Sequence, residues 1–326
     1  GSVSIMTYVE LLVGFVILIG GAEVLVRGAV SLAGRFGISP MVIGMTVVAV
    51  GTSAPELVVS VNAALEGATG LAVGNVIGSN IANILLVLGV ACIMMPILER
   101  PAALKRDGAL LLFGTLLFVG LCMVGVLDTK AGILLLIGFF CFLGISYWRE
   151  SSEPDLASDH IQEVEDLQGW PQSLGACIAA VVVGLVGLAL GAEFLVDSGT
   201  VIARTFGVSE EVIALTLFAL GTSLPELAAT VIAAMKGHSE VGIGNVVGSN
   251  LFNILGVAGA ASLTASLPVG EQILQFDIWI MLGSTMLLVP VLVLGWRITR
   301  FTGMLFLLGY VGYIWAQAFG VSRLFA

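Results

Sequence analysis

Two heptapeptides carry the chemistry of this chain: "GTSAPEL", from Gly51 to Leu57, and "GTSLPEL", from Gly221 to Leu227. Each sets two hydroxyls (Thr52 and Ser53; Thr222 and Ser223) beside a proline and a glutamate (Glu56; Glu226) in strongly apolar surroundings. Proline lacks an N–H and clashes with the turn before it, so a helix kinks or breaks there. A break is expected to free backbone carbonyls such as that of Ala49, and at membrane depth such carbonyls survive only when buried in protein or lining a wet cavity. A carboxylate near mid-membrane costs on the order of 3 kcal/mol even on the lenient insertion scale. Residues 40–65 and 210–235 hold no Lys or Arg to offset it. The missing positive charge is then a bound cation or a proton. Hydroxyl, carbonyl, amide and carboxylate are hard oxygen donors, suited to Na+ or Ca2+ rather than to a thiolate-loving transition metal.

A second motif completes the donor set. In "GNVIGSNIAN", Asn75, Ser79 and Asn83 recur every fourth residue and share one helix face. Asn245, Ser249 and Asn253 repeat the pattern in "GNVVGSNLFN". Asn80 and Asn250 lie off that stripe, where they are expected to bond to broken backbone. Gly74, Gly78, Gly244 and Gly248 are expected to let helices pack closely. Interhelical glue alone would have to explain why both copies pair Pro-Glu with an Asn/Ser stripe. Glu23 and Glu193 form another matched pair. Arg27 follows Glu23 by one turn and is placed to pair with it, whereas the counterpart of Arg27 is Asp197. For this pair a structural bond between spans is the favoured reading over a place in the central site.

The elements that position these residues are membrane helices. The chain has 326 residues, 58% hydrophobic and 10% charged, with mean hydropathy +1.11; an ordinary soluble domain carries about 25% charged residues. Runs of roughly 20 apolar residues read as transmembrane helices. Ten are expected, at 7–33, 40–65, 70–95, 107–126, 129–148, 172–204, 210–236, 241–263, 275–296 and 300–319. The first apolar run is long enough to span rather than be removed as a leader. Cys92, Cys122, Cys141 and Cys177 show no metal or disulfide spacing and read as buried thiols; His160 and His238 read as surface residues. Much of the net charge of −10 sits in the segment from Arg149 to Pro171. That segment lacks the ligand spacing and glycine of an EF-hand and reads as a solvated linker. No nucleophile–base pair or His/Cys cluster is evident, which argues against an enzyme.

The halves repeat. A shift of 170 sets "GAEVLV" at Gly21 on "GAEFLV" at Gly191, and "GNVIGSNIANIL" at Gly74 on "GNVVGSNLFNIL" at Gly244, without a gap from Gly21 to Gly89. About half the aligned positions are identical. Three divisions follow: residues 1–148 as a first five-helix repeat (motif region 40–95), 149–171 as an acidic linker, and 172–326 as a second five-helix repeat (motif region 210–263). An odd number of spans per repeat makes the second copy enter from the opposite face, so the repeats must be inverted, an arrangement common in secondary transporters with the site at the repeat interface. With the N-terminus outside, Arg35, Arg100, Lys105, Arg106, Arg149, Lys236, Arg297 and Arg300 lie inside, and only Lys130, Arg204 and Arg323 lie outside. Both termini are therefore expected outside and the linker in the cytoplasm. The fold class is an all-α polytopic membrane protein, its ten helices in two inverted repeats with broken helices at a central ion site.

Across ten spans, both halves and the mid-chain loop, the paired G-T-S-x-P-E and G-N-x-x-G-S-N motifs resemble the cation/Ca2+ exchanger superfamily, specifically its prokaryotic Na+/Ca2+ exchanger-like members. The resemblance implies antiport of Ca2+ against Na+ across the cell (inner) membrane of a prokaryote, with those two ions as cargo and no organic cofactor. It implies as ligands Thr52, Ser53, Glu56, Ser79, Asn83, Thr222, Ser223, Glu226, Ser249 and Asn253, with the carbonyls of Ala49 and Ala219. It also implies that the first and sixth spans slide across an eight-helix core. Partners are expected to be the transported cations and membrane lipids, with no nucleic acid and no obligate protein. In one respect the chain departs from the pattern: many such exchangers carry aspartate where this chain has Asn253. Asn at both 83 and 253 leaves H+ coupling or a K+ requirement open as alternatives, and a cation channel as a different class.

Overall fold

The computed structural model describes residues 3–97, 104–150, 173–208, 213, 216, 217 and 219–321. The linker from 151 to 171, His160, Arg100, Arg323 and most of 209–218 lie outside the described residues. What is described is helical apart from two small joints. The helices are α1 (Ile5–Phe36), α2 (Pro40–Thr52), α3 (Ala54–Leu65), α4 (Thr69–Met94), α5 (Leu104–Met123), α6 (Thr129–Glu150), α7 (Leu174–Thr205), α8 (Ala219–Met235), α9 (Ser239–Thr264), α10 (Ile273–Leu294) and α11 (Arg300–Phe319). Among the described residues, eight are long and apolar enough to cross a membrane, and the bent pair α2–α3 makes a ninth. Of the remaining expected span, 210–236, the continuous described helix is the 17 residues of α8, with residues 213, 216 and 217 before it also helical.

Helices α1 and α7 have 32 residues each. At 1.5 Å per residue each runs about 48 Å, more than a hydrocarbon core of about 30 Å, so each tilts or protrudes. Ser4 and Ser173 start them by accepting the N–H of Thr7 and of Ala176, and Gly37 ends α1 in the left-handed conformation at φ 63°. The two pack antiparallel through glycines. A Cβ at Gly21 would stand 2.9 Å from the backbone of Gly187 and Leu188, and one at Gly28 would stand 2.9 Å from the backbone of Val181. Large side chains are excluded there, so the backbones approach closely.

The inner layer is α4 and α9. In their most apolar windows 83% and 89% of residues are buried, against 33% and 28% for α1 and α7. The two motif-bearing helices therefore run through the middle with α1 and α7 outside them. Both joints tie one repeat to the other. Val126 and Leu127 pair antiparallel with Pro268 and Leu267, and Ile97 bridges Ile298. Under the 170-residue shift Ile97 corresponds to Leu267, so essentially the same joint is made twice.

Around the motifs the helical ladder loosens. A π-turn spans Asn83–Leu88 in α4 and Phe252–Val257 in α9, each containing the last Asn of the stripe. Another spans Gly44–Val48 in α2. π-bulges of this kind gather at functional sites. Ser53, at φ −91° and ψ 7°, then separates α2 from α3, which meet at 45°. The matching proline does not break α8: Pro225 lies inside one continuous helix. The acceptor it leaves unserved, four residues back, is Gly221, in the first described turn. The expected break in the second repeat is absent among the described residues. One cysteine also departs from expectation. Cys141 is exposed on α6 while Cys92, Cys122 and Cys177 are buried, because α6 turns part of its surface outward.

Candidate cation site

Glu56 and Glu226 are 1% and 0% exposed. Ser53 Oγ donates to Glu226 Oε1 at 2.8 Å, bridging residues 173 apart in sequence. The other oxygens, Glu56 Oε2 and Glu226 Oε2, are buried without a hydrogen-bond partner. So are Ser223 Oγ, Asn83 Oδ1 and both side-chain atoms of Asn253. A buried polar group left unpaired costs about 1–3 kcal/mol, more when charged, so one such cluster marks a place where a ligand completes the bonding.

The scaffold behind these atoms is built on the first Asn of each second motif, a role the stripe pattern did not assign. Asn75 Nδ2 donates to the carbonyl of Glu56 at 3.2 Å and to Ser60 Oγ at 2.9 Å. Asn245 Nδ2 donates to the carbonyl of Glu226 at 3.4 Å and to Thr230 Oγ1 at 3.0 Å. Each amide thus holds the backbone of its own glutamate. Ser60 and Thr230 match under the repeat shift, each one turn past its glutamate, and that shared hydroxyl was the available signal. Between the repeats, Asn80 Nδ2 donates to the carbonyl of Asn250 at 3.2 Å, and Asn250 Nδ2 donates to the carbonyl of Asn80 at 3.3 Å. The backbone these two residues bond is thus not that of the proline motifs, as expected, but each other's, across the two repeats.

Other equivalent bonds are made on one side only. Thr52 Oγ1 donates to Asn245 Oδ1 at 3.0 Å and Ser249 Oγ donates to the same atom at 3.3 Å. Thr222 instead turns to the carbonyl of Ala219 at 3.5 Å, on an exposed stretch. Gly244, Asn245 and Gly248 are buried against α2, whereas Gly74, Asn75 and Gly78 are half-buried. A Cβ at Gly244 would stand 3.1 Å from the Met45 nitrogen; at Gly74 and Gly78 it would meet nothing within 4 Å among the described residues. Among the described residues, close packing is thus observed at Gly244 and Gly248 and not at Gly74 and Gly78. The packed glycines lie on the α2 side of the site, while on the α8 side Ala219 is exposed and Thr222 half-buried.

Of the expected ligands, Thr52, Ser53, Glu56, Ser79, Asn83, Ser223, Glu226, Ser249 and Asn253 are all buried, along with Ala49. Thr222 and Ala219 lie at the rim. The Ala49 carbonyl is not freed, since it accepts Ser53 N–H at 3.0 Å and Thr52 Oγ1 at 3.3 Å: the turn continues through Ser53, and the missing N–H is that of Pro55, which would have served Gly51. Glu23 is tied elsewhere, to Arg27 at 2.5 Å and to Lys236 at 3.2 Å, in a half-exposed cluster that joins α1 to the end of α8. Among the described residues no three His, Cys, Asp or Glu side chains gather as a metal-binding group. The donor set is two carboxylates with neutral hydroxyls and amides, which fits a hard cation.

A helical membrane protein with a buried, oxygen-lined, doubly acidic pocket between two repeats is of the class that carries cations. Residues 6–148 and 177–319 match the sodium/calcium exchanger protein family, and the chain belongs to it. It is 40% identical over 308 residues to the putative antiporter CaxA of Alkalimonas amylolytica, covering 93% of this chain and 95% of the relative. It is 33% identical over 347 residues to the sodium/calcium exchanger MaX1 of Methanosarcina acetivorans, covering 95% and 97%. Among solved structures it superposes on the sodium-calcium exchanger NCX_Mj with a TM-score of 0.82 at 31% identity, covering 96% of this chain and 99% of that one.

Proposed function

We propose that this protein is a secondary antiporter that exchanges Ca2+ against Na+ through the pocket between its repeats. The observation that carries the reading is the pair of buried carboxylates, each with one unpartnered oxygen, on helices that hold no Lys or Arg. Ca2+ takes six to eight oxygens at 2.3–2.6 Å. The ligands are Glu56 and Glu226, with Thr52, Ser53, Ser79, Asn83, Thr222, Ser223, Ser249 and Asn253. The carbonyls of Ala49 and Ala219 join them once their present hydroxyl donors rotate away.

The finer architecture belongs to the same proposal. Ten spans form two inverted five-helix repeats, 1–148 and 172–326, joined by a cytoplasmic linker at 149–171. Both termini lie outside, in a prokaryotic-type cell membrane. The one-sided bonding and the twice-made joint support alternating access, in which the two repeats exchange conformations. The docked α2 and the half-buried Gly74, Asn75 and Gly78 support a state in which the pocket opens past α8, toward the outside in this orientation. Cargo ions are the only ligands required, and the chain works in lipid without a cofactor or an obligate partner.

The test is 45Ca2+ uptake into proteoliposomes with Na+, K+ and pH gradients imposed one at a time. Uptake driven by an outward Na+ gradient, and lost in Glu56→Gln and Glu226→Gln variants that still elute as folded protein, is the expected result. Uptake that needs only a pH gradient, or that survives both substitutions, excludes this reading.

A further inference from the structure

The two amides at residues 83 and 253 are equivalent by repeat but not by environment. Asn83 Nδ2 donates to Asn250 Oδ1 at 3.0 Å, while Asn83 Oδ1 is buried and unpartnered. Its NH2 is thus held against the other repeat and its oxygen is left for the pocket. The mate of that bond would run from Asn253 Nδ2 to Asn80 Oδ1. It is not made, and both of those atoms are buried and unpartnered. Yet Asn80 and Asn250 are already side by side, joined by their two reciprocal backbone bonds. One amide of this clasp therefore orients a pocket amide, and the other stands ready without doing so.

We propose that Asn80 and Asn250 are positioning residues that act alternately: Asn250 aims the Asn83 oxygen at the cation when the pocket opens past α8, and Asn80 aims the Asn253 oxygen when it opens past α2. This rests on the antiport reading and on Asn83 and Asn253 as ligands. The physical basis is the two-sided nature of an amide. A carboxamide presents an acceptor and a donor in nearly the same shape, and only the acceptor face binds a cation. Fixing the NH2 elsewhere selects the binding face in advance, as the outer partners of metal ligands do. The made bond lies with the side on which α2 is docked, Thr52 reaches Asn245, and Ser53 reaches Glu226. All four asymmetries have the same sense, as expected if the amide switch moves with the gate. Exchanging the conformations of the repeats exchanges the roles of Asn80 and Asn250 and leaves the reciprocal pair intact.

Asn80→Ala and Asn250→Ala serve as controls for one another, since each removes one of the two near-identical reciprocal bonds. Na+-driven Ca2+ exchange is measured in right-side-out and inside-out vesicles, giving a Ca2+ KM for each face. In Asn250→Ala the KM rises about tenfold at the face reached past α8, within the range seen when an outer partner of a metal ligand is lost. At the other face it stays within about twofold, and Asn80→Ala gives the opposite pattern. In an Asn83→Ala background, Ca2+-induced thermal stabilisation no longer depends on whether residue 250 is Asn or Ala. If an alanine variant fails to fold, Asn80→Ser and Asn250→Ser carry the same comparison. Equal KM changes at both faces, or lowered thermal stability with both KM values unchanged, overturn the proposal and leave a merely structural clasp. Absence of Na+-driven Ca2+ flux in the unsubstituted protein is a distinct result, and it removes the antiport reading itself.

Discussion

Gly78 and Gly248 occupy the same position in the two repeats, so alanine at each isolates what the fold adds to a shared motif. A Cβ at Gly248 would overlap the Met45 carbonyl oxygen and stand 2.6 and 2.7 Å from the Met45 Cα and carbonyl carbon. These are backbone atoms of α2, which can retreat only by moving the helix. Overpacking costs about 1–3 kcal/mol, and a rigid neighbour puts this case at the upper end. Alanine recovers roughly 1 kcal/mol of helix propensity over glycine, so Gly248→Ala destabilises by about 2 kcal/mol. Gly78 is half-buried, and a Cβ there meets nothing within 4 Å among the described residues. Gly78→Ala therefore keeps the propensity gain and stabilises by about 1 kcal/mol. For a chain of this size each kcal/mol moves Tm by roughly 2 °C, so thermal unfolding in detergent, followed by tryptophan fluorescence, separates the variants by about 6 °C. Gly248→Ala also pulls the access equilibrium away from the described state, because it penalises the docking of α2 on α9, whereas Gly78→Ala does not. Shifts of like sign and similar size would show that α9 does not pack on α2 as described.

Two further outcomes follow from the hydrogen bonds. Asn245 makes four side-chain bonds and Asn75 two; at about 0.6 kcal/mol per bond in a membrane protein, Asn245→Ala costs about 2 kcal/mol and Asn75→Ala about 1. Equal losses of thermal stability would contradict the one-sided bonding. At the start of α10, Asp277 accepts bonds from Gln272 at 3.3 Å and, from α11, Tyr313 at 3.1 Å, and another from Gln317. Tyr313→Phe is expected to cost about 1 kcal/mol and lower Tm by about 2 °C with the Ca2+ KM unchanged, and a changed KM would tie this cluster to the pocket.

The sequence by itself determined the membrane class, most of the helices, the 170-residue repeat and the donor chemistry. Those properties are local or periodic: hydropathy summed over 20 residues, a proline that cannot donate, polar residues at every fourth place. It also placed Glu23 beside Arg27, since i,i+4 neighbours on a helix meet whatever the rest of the chain does. Tertiary structure decided which of two near-identical motifs docks and which stands open. Ser53 reaches Glu226 and Ser223 reaches nothing, although both sit in the same G-T-S-x-P-E frame. Pro55 follows a break while Pro225 lies within a helix. Asn75 and Asn245 hold their glutamates' backbones through contacts 19 residues away, a pairing that spacing along one helix does not specify. Two equivalent copies cannot record which of them is docked, because either assignment satisfies the same local rules. That choice is made only when α2 lies on α9 and excludes the symmetric arrangement.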